Sequence, residues 1–297
     1  MNFKYLFIVL AAGIWVALLP EDAYAWGAGV HIMQVSFILD NLHLISPTIA
    51  EVIRKQPNDY LYGAISVDIF AGQGYKRRPN HCHNWAAGFK LLEKSKTKSD
   101  LAFSYGYLSH LCGDVVSHNV YVPNQLFLSN HLRRMGHVYW EVRSDWFTPR
   151  EYWNKGLEVI DNHHEHDDVL VQAILPRKYF PFESRKKLLR RTIRSRDLMI
   201  WRKAVSIVTD RAKLNVSSSY INYLNQVSQY LIVDILQDPE RAVALRYDPI
   251  GTDRMIASKK VKRYVKRKYQ EKPQGLIFEI PEDILGLLPE DQICAIA

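Results

Sequence analysis

Three cysteines in 297 residues, Cys82, Cys112 and Cys294, are too few for a disulfide framework. Cys82 and Cys112 could pair across the fold or simply pack beside the histidines near them. Histidine is missing from the whole later part of the chain: all eleven precede residue 167. Chemistry that needs imidazole is therefore confined to the earlier part. The apolar run from Tyr5 to Leu19 is too short for a membrane span, which needs about 20 residues. There is no convincing hairpin signal, no internal repeat, and no alternating, turn-rich segment of the kind that builds an appended β-sandwich.

What surrounds the apolar run gives it a meaning. Lys4 precedes it, and Ala23-Tyr24-Ala25 follows with small residues at the alternate positions that signal peptidase reads. Residues 1–25 are expected to be a signal peptide, which makes the protein exported, either periplasmic or secreted. An uncleaved anchor is the alternative, and Glu21 and Asp22 beside the cut are unusual for a signal. No cysteine follows to carry a lipid. Cleavage after Ala25 would leave Trp26 with a free α-amino group.

The remainder suits one large domain or two small ones. Its 47% hydrophobic and 12% aromatic content predicts a sizeable core. The net charge of +8 favours acidic partners such as anionic lipid or nucleic acid. We expect a helical domain over 26–250 and a basic C-terminal extension over 251–297.

Helical periodicity dominates, and the predicted fold class is all-α. Apolar residues recur every three or four positions from Ile32 to Ile53, interrupted at Pro47. Asn58 to Phe70 reads as a short helix or turn. "HNWAAGFKLLEKS" is amphipathic, with Trp85, Phe89 and Leu92 on one face. "SDLAFSYGYLSHLCGDVVSHNVYVP" predicts a long buried helix, capped by Ser99 or Asp100 and limited by Pro123. A further helical stretch runs from Ser218 to Leu245.

His110, Asp114 and His118 stand at i, i+4 and i+8 of the long helix, so they share nearly one face. Their neighbours are apolar, and a buried carboxylate is rare unless paired or bound to metal. A hydrogen-bonded His–Asp network would also satisfy the spacing. His137 and Glu141 form a second i, i+4 pair. Asp68 sits among Val67, Ile69 and Phe70, either as a cap or as a ligand. In "NHCHNW", His81 and His83 share a face if the segment is extended. These nitrogen and oxygen donors suit zinc in an open, catalytic type of site. They are too many for one ion, so two or three Zn2+ ions are implied. Trp26, through its amino and carbonyl groups, and His31 would add further donors.

The ordered series Trp…His…Asp…His…HxxxD…His…HxxxE, directly after a signal peptide, resembles the zinc-dependent phospholipases C and their relatives, the S1/P1-type single-strand nucleases. The resemblance covers roughly Trp26 to Asp145. It implies an all-α fold and a metal set of Trp26 and His31 in one site. Asp68, His81 or His83, His110 and Asp114 would form a second site, with Asp114 bridging the two. His118, His137 and Glu141 would form the third. Asp114 and His118 are four residues apart, where better-known members have six, so His118 is expected to continue the helix.

The implied activity is phosphodiester hydrolysis. Phospholipase C-type cleavage of phospholipid to diacylglycerol and phosphorylated headgroup is the leading reading. A nuclease on single-stranded nucleic acid, or a non-catalytic zinc protein, are the alternatives. Asp68 could also serve as a catalytic general base. The run Lys259–Lys268 carries seven Lys or Arg in ten residues, interleaved with Val261, Tyr264 and Val265. It suits docking on an anionic membrane surface, or a solvated tail. "RKKLLRR" (185–191) is a second basic run. "NHHEHDD" (162–168) is expected to be a solvated acidic loop rather than a metal patch.

Overall fold

A computed structural model describes residues 26–70, 81–129, 140, 143–175, 181–195, 216–270 and 274–290. The expected signal peptide lies outside these residues, as do His137, Glu141 and Cys294. The described residues are helical, with no strand among them, and the fold is all-α. No helix among them is long and apolar enough to cross a membrane.

Helix α1 (Ala28–Asp40) leads through a short turn to α2 (Pro47–Lys55) and α3 (Pro57–Ser66). Pro47 and Pro57 each open a helix, where a missing N–H costs nothing. A 3-10 turn, Val67–Phe70, extends α3. Helix α4 (Trp85–Lys94) follows, capped by the Asn84 side chain, which accepts from the Ala86 N–H at 2.9 Å. Its buried residues are Ala87, Gly88 and Leu91, whereas Trp85, Phe89 and Leu92 are only half-buried.

The central element is α5 (Lys98–Val116), wrapped by α3, α10 (Ser218–Gln237) and α4. Thr97 caps it, and Asp100 is the acidic partner of a capping box rather than the cap itself. The close crossing of α3 and α5 needs glycine twice. A Cβ at Gly63 would run into the Phe103 carbonyl, and one at Gly106 into the Tyr60 carbonyl.

Pro123 does not end this helix run. The chain passes through one π-turn, Ser117–Tyr121, into α6 (Val122–Leu128), so Pro123 falls in the first turn of a new helix. The π-turn displaces His118 from the straight i, i+8 line. Helices α7 (Arg150–Asp161), α8 (Glu165–Ile174) and α9 (Phe182–Ser195) follow.

Helix α11 (Thr252–Tyr269) is anchored to α6: Ser258 Oγ donates to the Pro123 carbonyl at 2.7 Å, and Lys262 Nζ donates to those of Leu126 and Ser129. Asn124 clasps residues 277 and 278 by their backbone. Cys82 and Cys112 are buried thiols with no disulfide between them.

Candidate metal centre

His110 and Asp114 lie one turn apart on α5, both with side chains at 0% exposure. The His110 Nδ1–H donates to the Ala64 carbonyl in the last turn of α3, at 2.7 Å. A carbonyl can only accept, so this bond places a proton on Nδ1 and turns Nε2 into the cluster. That Nε2 stands 3.2 Å from Asp114 Oδ2 and 3.2 Å from His83 Nε2.

His31, from the first turns of α1, stacks on His110 with centroids 3.8 Å apart. Its Nε2 lies 3.4 Å from the other oxygen of Asp114, Oδ1. His83, just before α4, lies 3.4 Å from Asp114 Oδ2 and 3.6 Å from Asp68 Oδ1. Its turn is held by Tyr107, whose hydroxyl donates to the Cys82 carbonyl at 2.5 Å. Asp68 also approaches His110 Nε2, at 3.9 Å.

Thus four separate segments bring three imidazoles and two carboxylates together, all at most 3% exposed. Asp114 is the hub. One of its oxygens faces His31 and the other faces His83 and His110. Of the histidine pair the sequence left open, His83 is the one turned into this cluster. His81 instead uses Nδ1 to accept the His83 backbone N–H at 3.1 Å. His81, Cys82 and His83 still lie close enough to form a group of their own.

The cluster's electrostatics call for a cation. Neither oxygen of Asp68 or Asp114, and neither nitrogen of His31, makes a hydrogen bond. Burying a carboxylate without donors costs several kcal/mol. Burial pushes the Asp68 carboxyl up to about 8, with His110 pulling it down and Asp114 adding to the rise. Burial also works against Asp114, yet His110 and His31 hold it well below the usual carboxylate range.

A tetrahedral zinc ion with bonds of roughly 2.0–2.1 Å spaces its ligand atoms roughly 3.3–3.4 Å apart. The separations around Asp114 run from 3.2 to 3.4 Å, so the residues fit the ion. The same set is grouped as His31–Asp68–His110 and as His83–His110–Asp114.

The other sequence candidates sit around this core. Trp26 is buried and stacked on Tyr121, with centroids 5.3 Å apart, and its indole N–H donates to the Gly113 carbonyl at 2.9 Å. The start of α1 is thereby fixed beside Asp114. The Gly27 N–H donates to Asp145 Oδ1 at 3.1 Å. Asp145 is a positioning residue that nothing in the spacing of the sequence singled out. His118 lies on the π-turn, 5% exposed, and its Nδ1–H donates to the Pro249 carbonyl at 2.5 Å. It joins none of the His/Asp groups among the described residues.

The segment 162–168 meets the solvated-loop expectation only in part: Asn162, His163, Glu165 and His166 are exposed, but a helix begins at Glu165. His164, Asp167 and Asp168 are all buried, at 5%, 2% and 8% exposure. Tyr62 stacks flat on His164 with centroids 3.8 Å apart and hydrogen-bonds Asp168, which Lys186 also contacts at 2.7 Å. The i, i+3 spacing of His164 and Asp167 marks one helix face, and that face turns inward.

An all-α chain that buries three imidazoles and a second carboxylate around a shared aspartate has the make-up of the multi-histidine helical metalloproteins. The comparison with protein families is more specific. The zinc-dependent phospholipase C model matches residues 30–175, and over that stretch the chain is similar to this family. No curated protein and no solved structure matches the chain.

Proposed function

We propose that the chain is a zinc-dependent phosphodiester hydrolase of phospholipase C type, cleaving phospholipid to diacylglycerol and a phosphorylated headgroup. Asp114 carries this reading, because its two oxygens divide between His31 on one side and His83 with His110 on the other. One site would comprise Trp26, His31 and Asp114; the second would comprise Asp68, His83, His110 and Asp114. His118 would join His137 and Glu141 in a third. Bound zinc lowers the pKa of water towards neutrality and polarises phosphoryl oxygens. The chain's part is to hold the ligands in one protonation state. The Ala64 and Pro249 carbonyls keep protons on Nδ1 of His110 and His118, so Nε2 is the nitrogen each would offer to an ion. Asp68 is read as a ligand first and as a general base second.

The basic face of α11 supports a membrane as the place of action. Its inner side is fixed by Met255, Ser258 and Lys262, while Ile256, Lys260, Tyr264 and Arg267 point outward. Ile256 is 42% and Tyr264 47% exposed, interspersed with cations. Such a face suits an anionic bilayer, with each cation contributing about 1 kcal/mol near its surface.

The test is release of phosphorylated headgroup from phosphatidylcholine and phosphatidylethanolamine vesicles, with and without chelator and with and without added phosphatidylglycerol. Chelator-sensitive release, faster on the anionic vesicles, is expected. No release from zinc-loaded protein would remove phospholipid as substrate, and single-stranded nucleic acid would be assayed next. Release indifferent to phosphatidylglycerol would remove the docking role of α11.

A further inference from the structure

Away from the centre around Asp114 and the His81–Cys82–His83 turn beside it, a further cluster among the described residues places ligand atoms face to face. Asp59 is the third residue of α3, His164 immediately precedes α8, and Asp167 is the third residue of α8. One atom from each lies within 4.8 Å of the others.

His164 gives the cluster its chemical character. Its Nε2–H donates to the Val159 carbonyl at 2.8 Å, which turns Nδ1 towards the carboxylates. Nδ1 faces Asp167 Oδ2 at 3.4 Å and Asp59 Oδ1 at 3.9 Å. It has no hydrogen-bond partner, nor has Asp167 Oδ1, although both residues are at least nine-tenths buried.

Among the described residues, Lys186 is committed to Asp168, and His166 lies 2.5 Å from Asp100. The 3.4 Å between Nδ1 and Asp167 Oδ2 matches the roughly 3.3–3.4 Å edge that bonds of about 2.0–2.1 Å to zinc would span. Tyr62 holds the imidazole plane by stacking, within 7° of parallel. Asp59, whose side chain is 19% exposed, opens the cluster to solvent and so to an entering ion.

We propose that Asp59, His164 and Asp167 form a separate divalent-cation site of zinc type. Two carboxylates balance the charge of the ion, and one imidazole nitrogen gives it a borderline-soft donor. The ion ties the first turn of α3 to the start of α8, and water from the Asp59 side completes its coordination.

The test counts zinc per chain by mass spectrometry in the full processed protein, saturated with zinc and then desalted. It compares the unsubstituted protein with Asp59→Asn and Asp167→Asn. Each variant is expected to hold one zinc fewer per chain while headgroup release is unchanged. Equal zinc content in the original protein and in Asp59→Asn would overturn the site. Should Asp167→Asn fail to fold, Asp59→Asn decides alone, since its carboxylate is the partly exposed one. The zinc count does not depend on the substrate, so this site and the phospholipase reading stand or fall separately.

Discussion

Two histidine–aspartate clusters lean on opposite ends of α3. The inner one has the His110 imidazole of α5 fixed by the last turn, through the Ala64 carbonyl. The outer one takes a carboxylate, Asp59, from the first turn. Both use the same device, a ring N–H spent on a backbone carbonyl so that the other nitrogen faces carboxylates. They differ in reach. The inner cluster draws on α1, the turn after α3, the segment before α4, and α5, and it is sealed. The outer one joins two helix starts and keeps a carboxylate at the surface. A cluster assembled from many segments has one arrangement that the whole fold enforces, and suits chemistry. One assembled from two suits a tie.

The sharpest way to break this contrast is Asp114→Asn. The hub would lose charge on both sides at once, leaving His31, His83 and His110 without a shared anion. Headgroup release is expected to fall by more than about a thousandfold, some 4 kcal/mol of transition-state stabilisation. Zinc measured per chain should fall at the inner cluster, while the zinc assigned to Asp59 and Asp167 remains. A variant that kept its full zinc content would refute the bridging role of Asp114.

Much of the inner cluster was legible in the sequence, and little of the outer one. His110 and Asp114 were readable as a pair because a four-residue interval puts both on one face of an apolar helix, although a hydrogen-bonded His–Asp network fits the same spacing. The order of His31, Asp68 and the His81/His83 pair carried the family resemblance. His83 over His81 was not readable, since the choice depends on how Tyr107 pins the turn at Cys82. The π-turn was also hidden: nothing in "SHNVYVP" betrays one extra residue per turn, so His118 looked like a simple continuation. The outer cluster was misread for a local reason. "NHHEHDD" is polar in composition, and composition predicts solvent, but Tyr62 from α3 covers His164 and so buries that face. Asp145 left no trace because its partner is a backbone N–H far away in sequence.

Gly106→Ala would test whether the two clusters share one support. In a helix interior, alanine is favoured over glycine by about 1 kcal/mol. Here the new methyl would meet the Tyr60 backbone carbonyl, which cannot swing aside as a side chain would. Overpacking of this kind costs about 1–3 kcal/mol, so sterics should win and α3 should be pushed from α5. The expected result is a lower denaturation midpoint together with weaker zinc retention at both clusters. A stabilised variant with both intact would show that α3 can move without disturbing either.

The smallest effect sharpens the contrast most finely, because Tyr62→Phe separates the two things Tyr62 does. Its ring stacks on His164, and its hydroxyl bonds Asp168. Phenylalanine keeps the stack and removes the bond. Asp168 retains Lys186 at 2.7 Å, so its charge is not left unpaired. The loss should therefore be about 1 kcal/mol, near that of an ordinary hydrogen bond rather than of a buried orphaned charge. Urea denaturation at saturating zinc would measure it. Zinc content should be unchanged, since the ring alone fixes the plane of His164. A variant that loses one zinc per chain would instead place the hydroxyl and Asp168 in command of the outer cluster, with the stacked ring only as packing.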